Sequence, residues 1–135
     1  MTRILAFIVN FMAFLWAEGK YKIVGSEVST SNGGDALLLV ESTRLRMRFV
    51  SDRTQLLLDL QPADTSVPNE WFSIDLIRWM FLGVREVSAV LDQSYAAFLQ
   101  KYLSEIEEKF SGENWPQTRS QLKTLKAKRA KELFG

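Results

Sequence analysis

A chain of 135 residues, 47% hydrophobic and 24% charged, has the length and make-up of one globular domain with one sizeable core, and not of a disordered or repetitive polymer. It holds no Cys and no His, which excludes disulfides and thiolate metal sites, and with them zinc, haem-iron and Ser-His-Asp chemistry. Net charge is only +1, yet residues 114–135 carry six Lys or Arg against one Glu while residues 1–113 carry eleven against fifteen Asp or Glu, so a mildly acidic body precedes a basic end.

The N-terminal stretch MTRILAFIVNFMAFLWAEGK places Ile4, Leu5, Ile8, Phe11, Met12, Leu15 and Trp16 at the spacings of one helical face, and Gly19 supplies a stop. The same stretch, with Arg3 ahead of an apolar run to Ala17, also has the layout of a secretory signal peptide. Cleavage after Ala17 would set Leu15 where a small residue belongs, so a helix over residues 1–18 is the favoured reading. Export with residues 1–17 removed is the alternative. The segment is too short for a transmembrane span, which needs roughly 20 residues.

After Gly19 the period changes. KYKIVGSEVSTS reads as a strand from about Lys20 to Ser29, and Asn32-Gly33-Gly34 is a hairpin signal ahead of a second apolar run. In RLRMRFV, Leu45, Met47 and Phe49 point to one face and Arg44, Arg46 and Arg48 to the other. SDRT is a polar turn, and QLLLDLQ returns as a fourth strand ending at Pro62. Residues 20–61 are thus expected to form a four-stranded antiparallel meander with one face covered by helices and the other partly wet.

The stretch PADTSVPNE is a loop. SIDLIRWMFLG then reads as a short helix with Ser73 as its cap and Gly83 as its end. From about Arg85 to Phe110 the positions Val87, Val90, Leu91, Tyr95, Phe98, Leu99, Tyr102, Ile106 and Phe110 form a helical stripe, completing a helical half over residues 71–110. SGENWPQT breaks it, with Pro116 in the first turn of a last helix within residues 114–135. That helix has a thin apolar set, Leu122, Leu125, Ala130 and Leu133, among many cations, and is expected to pack weakly. The expected fold is a single α+β domain: an N-terminal helix, a four-stranded antiparallel meander and three C-terminal helices on one sheet face.

Three groups of residues are candidates for function. The arginine comb, Arg44, Arg46, Arg48 and Arg53, would read phosphate together with Lys123, Lys126, Lys128 and Arg129 of the last helix; this is the nucleic-acid alternative. Against it, the body is acidic, and Glu27, Glu41 and Asp59 are available to pair with the comb across strands. The carboxylates Asp52, Asp59, Asp64, Glu70 and Asp75 have no spacing that marks acid-base catalysis. With Trp71 and Trp79, four of them (Asp52, Asp59, Asp64 and Glu70) are the candidate residues for contact with a protein partner, since surface aromatics anchor interfaces. Trp71, Phe72, Trp79 and Phe81 otherwise read as core. No phosphate-cradling loop is present, as Gly33-Gly34 lies in a hairpin and no Gly-Lys-Ser/Thr follows.

The succession AEGKYKIV, a hairpin, LLLVESTRLRMRFVSDRTQLLLDLQP and WFSIDLIRWMFLG, over about residues 15 to 83, resembles a set of small uncharacterised bacterial proteins, several of which look like immunity proteins of contact-dependent or polymorphic toxin systems. Their hairpin carries Gly after the Asp-Arg pair, where this chain has Thr54. The resemblance implies a non-enzymatic cytoplasmic protein, without cofactor or metal, that binds and neutralises a cognate toxin domain. It brings no catalytic residues. An acidic body would steer association with a basic toxin.

Overall fold

The computed structural model describes residues 1–29 and 35–134, with the side chain of residue 134 outside the description. The Asn32-Gly33-Gly34 turn expected between the first two strands lies outside the described residues. Helix α1 (Thr2–Phe11) is followed by a 3₁₀ turn (Ala13–Trp16), and together they bury Ile4, Ile8, Met12 and Leu15. This stripe is narrower than expected: Leu5, Phe11 and Trp16 lie largely at the surface, because only the row facing the sheet and the long helix is covered.

The sheet runs in sequence order, β1 (Lys22–Val28), β2 (Ala36–Glu41), β3 (Leu45–Asp52), β4 (Gln55–Pro62) and β5 (Phe72–Ser73), every neighbouring pair antiparallel. The meander therefore has five strands where four were expected. Ser73 pairs with Asp59 and Phe72 with Leu60, because the loop after Pro62 returns along β4 to deliver Phe72 to the core. On the inner face, Leu38, Val40, Leu45, Met47, Phe49, Leu58, Leu60 and Phe72 are buried against the helices, as the alternation predicts. Asp52 pairs with Gln55, so β3 and β4 join through a two-residue turn in which Arg53 (φ 48°) and Thr54 (φ 73°) both take positive φ. That is the primed turn whose twist suits a tight hairpin. The Asp35 carboxylate accepts from the Arg53 N–H at 3.1 Å, and the Arg3 guanidinium donates to the Thr54 carbonyl, tying α1 to the turn.

Helix α2 (Ile74–Leu82) ends at Gly83, whose φ of 74° closes the left-handed cap with its N–H on the Trp79 carbonyl. Ser73 occupies the N-cap position but makes no capping bond, because its hydroxyl is taken by the Asp75 carboxylate. The long helix is shorter than expected. Residues 84–92 are loop, with Val87 99% exposed, and α3 spans Gln93–Lys109. The cause is local: Asp92 caps α3 by accepting from the Tyr95 N–H at 3.0 Å, while Arg78 draws the preceding loop back through Glu86 (2.6 Å) and Ser94 (3.0 Å) and lies 3.7 Å from the centre of the Tyr95 ring. The Leu91 N–H donates to the Leu56 carbonyl at 2.7 Å, so this loop meets the β4 edge at Leu56, beyond the reach of β5.

Helix α4 (Trp115–Phe134) packs more firmly than its composition predicts. Thr118 and Leu122 are buried, the Trp115 ring packs against Phe72 and Phe110, and three ion pairs bind the helix to the body. Among the described residues no helix is long and apolar enough to cross a membrane.

Candidate protein-binding face

Strands β2, β3 and β4 each present alternate side chains away from the helices, and registry brings these into rows across the sheet. One row is Leu37 of β2, Val50 of β3 and Leu57 of β4, each directly opposite the next. The adjacent row is Leu39, Arg48 and Asp59. Leu37, Leu39, Val50 and Leu57 are half-buried, screened by one another along the strands, and the described helices pack on the opposite face. At the end of the apolar row, Asp35 and Asp52 border a shallow cleft with Ala36, Leu37, Val50 and Ser51. The face therefore combines an aliphatic strip with carboxylates at one end.

The arginine comb does not form a free cationic surface. Arg48 donates to the Asp59 carboxylate from Nε (3.1 Å) and Nη2 (2.7 Å), the cross-strand pairing foreseen as the alternative to binding. Arg46 donates to the Gln61 side-chain oxygen at 2.9 Å, and its Nε, 3.9 Å from Glu41, has no hydrogen-bond partner among the described residues. Trp71 closes over both guanidinium groups, its ring centre 4.6 Å from Arg48 and 5.8 Å from Arg46. Fully buried Gln61 holds the loop in place, donating to the carbonyls of Pro68 (3.2 Å) and Glu70 (2.9 Å). Arg44 and Arg53 remain exposed at opposite ends of β3.

The cations of α4 divide in the same way. Arg129 donates to Asp75 Oδ2 at 2.8 Å and to the Ser73 hydroxyl at 2.9 Å, and Asp75 is only 5% exposed. Arg119 makes a two-pronged contact with Glu70, at 2.7 and 2.9 Å. Those hydrogen bonds hold the Glu70 carboxyl below the usual carboxylate range against the cost of partial burial, and the fields of Arg119, Lys123 and Lys126 act in the same direction. Lys123, Lys126 and Lys128 are exposed, and Lys126 stands 5.9 Å from the Phe72 ring centre.

The structure thus scatters the expected partner residues. Asp59, Glu70 and Trp71 are engaged within the fold, Asp52 borders the cleft, Asp64 is exposed on the loop after β4, and Trp79 lines a separate groove between α2 and α4 with Met80, Gln121, Thr124 and Leu125. The residues that share one open surface, Leu37, Leu39, Val50 and Leu57, were not among the candidates. A signal was available: the runs Leu37-Leu38-Leu39 and Leu56-Leu57-Leu58 break the period of two, and an uninterrupted apolar strand is one with apolar residues on both faces.

Buried tyrosines complete the titratable picture. Burial pushes the Tyr21 phenol far above its ordinary value, aided by its hydrogen bond to Glu107 Oε2 at 2.7 Å. Burial likewise pushes Tyr95 up to about 12, and its hydroxyl donates to the Ser88 carbonyl. Both are neutral donors that fasten α3 to its neighbours. Among the described residues no group of three His, Cys, Asp or Glu side chains is placed to hold a metal ion. No protein-family model, curated protein or solved structure matches the chain.

Proposed function

We propose that this chain is a non-enzymatic, cytoplasmic protein-binding domain, an immunity-like protein that neutralises a cognate bacterial toxin domain by covering it with the outer face of the sheet. The observation that carries the proposal is the aliphatic row Leu37, Val50 and Leu57. These strands are composed for burial on both faces, and the described helices cover only one. Water contact at such a strip is unfavourable by about 25 cal/mol for each Å² that a partner would cover. The carboxylates of Asp35 and Asp52 at the end of the strip match a basic partner by local charge. Occlusion needs a rigid complementary surface and no reacting group. The nucleic-acid reading loses support because Arg46, Arg48, Arg119 and Arg129 are engaged within the fold.

The test is co-expression with the C-terminal domain of the reading frame directly upstream. The chain should restore growth and co-elute with that domain, and the double substitution Val50→Lys/Leu57→Lys should abolish both while leaving cooperative unfolding intact. Lys128→Ala should change neither. Growth that is not restored, or a complex that survives the double substitution, refutes the proposal.

A further inference from the structure

Among the described residues the sheet has one long edge without a partner strand. At the far side β5 is two residues long, and beyond it the Leu91 N–H donates to the Leu56 carbonyl of β4. At the near side β1 is seven residues long, pairs among the described residues only with β2, and contains no Pro. Its apolar side chains are exposed: Ile23 at 52%, Val24 at 51% and Val28 at 59%. A strand of this length with an unpaired backbone edge is a template for another strand.

The side chains of β1 say which strand. Lys22 lies opposite Glu41 and Glu27 opposite Leu37, both outer-face positions of β2, whereas Ile23 lies opposite Val40 and Val28 opposite Ala36 on the inner face. Residues five apart in a regular strand face opposite ways, but the irregularity between Ile23 and Gly25 restores Lys22 and Glu27 to one face. Unlike charges then stand at the two ends of one exposed ladder, which is self-complementary under a twofold axis. Antiparallel pairing of β1 with β1, centred between Val24 and Gly25, sets Lys22 against Glu27 twice and Ile23 against Ser26 twice, with Val28 diagonal to Ile23. Lys22 and Glu27 share the outer face, and Ile23 and Ser26 the inner, as an antiparallel ladder requires. The irregularities meet at the axis, so neither strand runs ahead of the other.

We propose that the free edge of β1 is a self-association site at which a second copy of this chain adds its own β1, forming one continuous sheet through reciprocal Lys22–Glu27 contacts. The aliphatic outer face is not consumed and would be doubled. This assembly does not require the partner proposed above, and the two surfaces adjoin at Glu27, which also lines the cleft with Asp35 and Asp52.

Sedimentation of the purified chain at millimolar loading should give twice the 15.5 kDa monomer mass. Glu27→Lys and Lys22→Glu should each abolish the dimer, the former facing Lys with Lys and the latter Glu with Glu. An equimolar mixture of the two variants should restore it, since both contacts are then between unlike charges. Near-ultraviolet circular dichroism checks that each variant keeps its fold, and slowed amide exchange across Lys22–Val28 in the dimer, absent from Glu27→Lys, places the contact on β1. A monomeric wild-type chain, a dimer that persists in Glu27→Lys, or a mixture that stays monomeric overturns the proposal.

Discussion

Thr54→Gly should stabilise the protein. Thr54 holds φ at 73° in a two-residue turn whose other residue, Arg53, is at 48°. A left-handed conformation brings Cβ against the following carbonyl at a cost of about 1–2 kcal/mol for a non-glycine residue, and a β-branched residue is at the unfavourable end. Glycine removes that cost but gives back about 0.5–1 kcal/mol through the greater freedom of the unfolded chain. The exposed side chain of Thr54 adds little packing to set against the change, and the contact from Arg3 is to its backbone carbonyl, which Gly retains. The expected net gain is about 0.5–1 kcal/mol, a rise in Tm of about 2–5 °C for a domain of this size.

Urea and thermal unfolding of wild type, Thr54→Gly and Thr54→Ala measure it. Ala keeps Cβ and so keeps most of the left-handed penalty, and its Tm should stay within about 1 °C of wild type. The urea m-value should not change, because the surface exposed on unfolding is the same. If Ala stabilises as much as Gly, the relevant property is the branched side chain and not the backbone conformation. If Gly lowers the Tm, the turn is not held at positive φ and the reasoning fails.

Arg129→Ala should cost about 2–3 kcal/mol, somewhat below the loss for a fully buried pair, because it strands the Asp75 carboxylate under α4; Lys128→Ala, on the same helix, should stay within about 0.5 kcal/mol in denaturant titration. Glu70 has a folded-state pKa below its ordinary 4.5, so its contribution is fully present above that value and is lost as pH falls through the folded pKa. Below the ordinary value the unfolded chain takes up this proton first, and Glu70→Gln should therefore flatten the fall in stability between about pH 5 and pH 3 followed by circular dichroism. A chain starting at Glu18 loses the buried side chains of Ile4, Ile8, Met12 and Leu15, each worth about 2–5 kcal/mol against a whole-domain stability of about 5–15 kcal/mol, and should show no cooperative transition in calorimetry.

Periodicity predicts what a single strong pattern controls. The alternation of Leu45, Met47 and Phe49 places the inner face of the sheet correctly, and Gly83 ends α2 as expected, since each depends on residues close in sequence. The long helix is overextended by the same method because Val87 and Val90 continue its spacing, while the capping Asp92 and the pull of Arg78 on Glu86 act against it. β5 is invisible to pattern because two residues carry no period, and its existence depends on where the loop held by Gln61 returns. The outer face is the instructive case. Arg46 and Arg48 are conspicuous in the sequence and occupied in the fold, and its leucines lie in apolar runs with core neighbours, where an alternation of two does not single them out.

The uneven charge has a structural use that composition alone hides. An acidic body and a basic last helix look like a steering field and a nucleic-acid arm, but the two are partners: Glu70 and Asp75 of the body receive Arg119 and Arg129 of α4, and Arg85 in the loop after α2 receives Glu132 near its end. α4 has too few apolar residues to be held by burial alone, and the pairs at its two ends, with Leu122 and Trp115 between and beside them, complete the attachment. These pairs differ in exposure, so they differ in their response to salt. The contacts of Arg119 and Arg85 face water and weaken as the Debye length falls to about 3 Å at 1 M salt, while the contact to Asp75, beneath the helix, is screened much less. High salt should accordingly loosen both exposed contacts before the buried one. Amide exchange along α4 would show that order as protection lost near Arg119 and Glu132 while the turn at Arg129 persists.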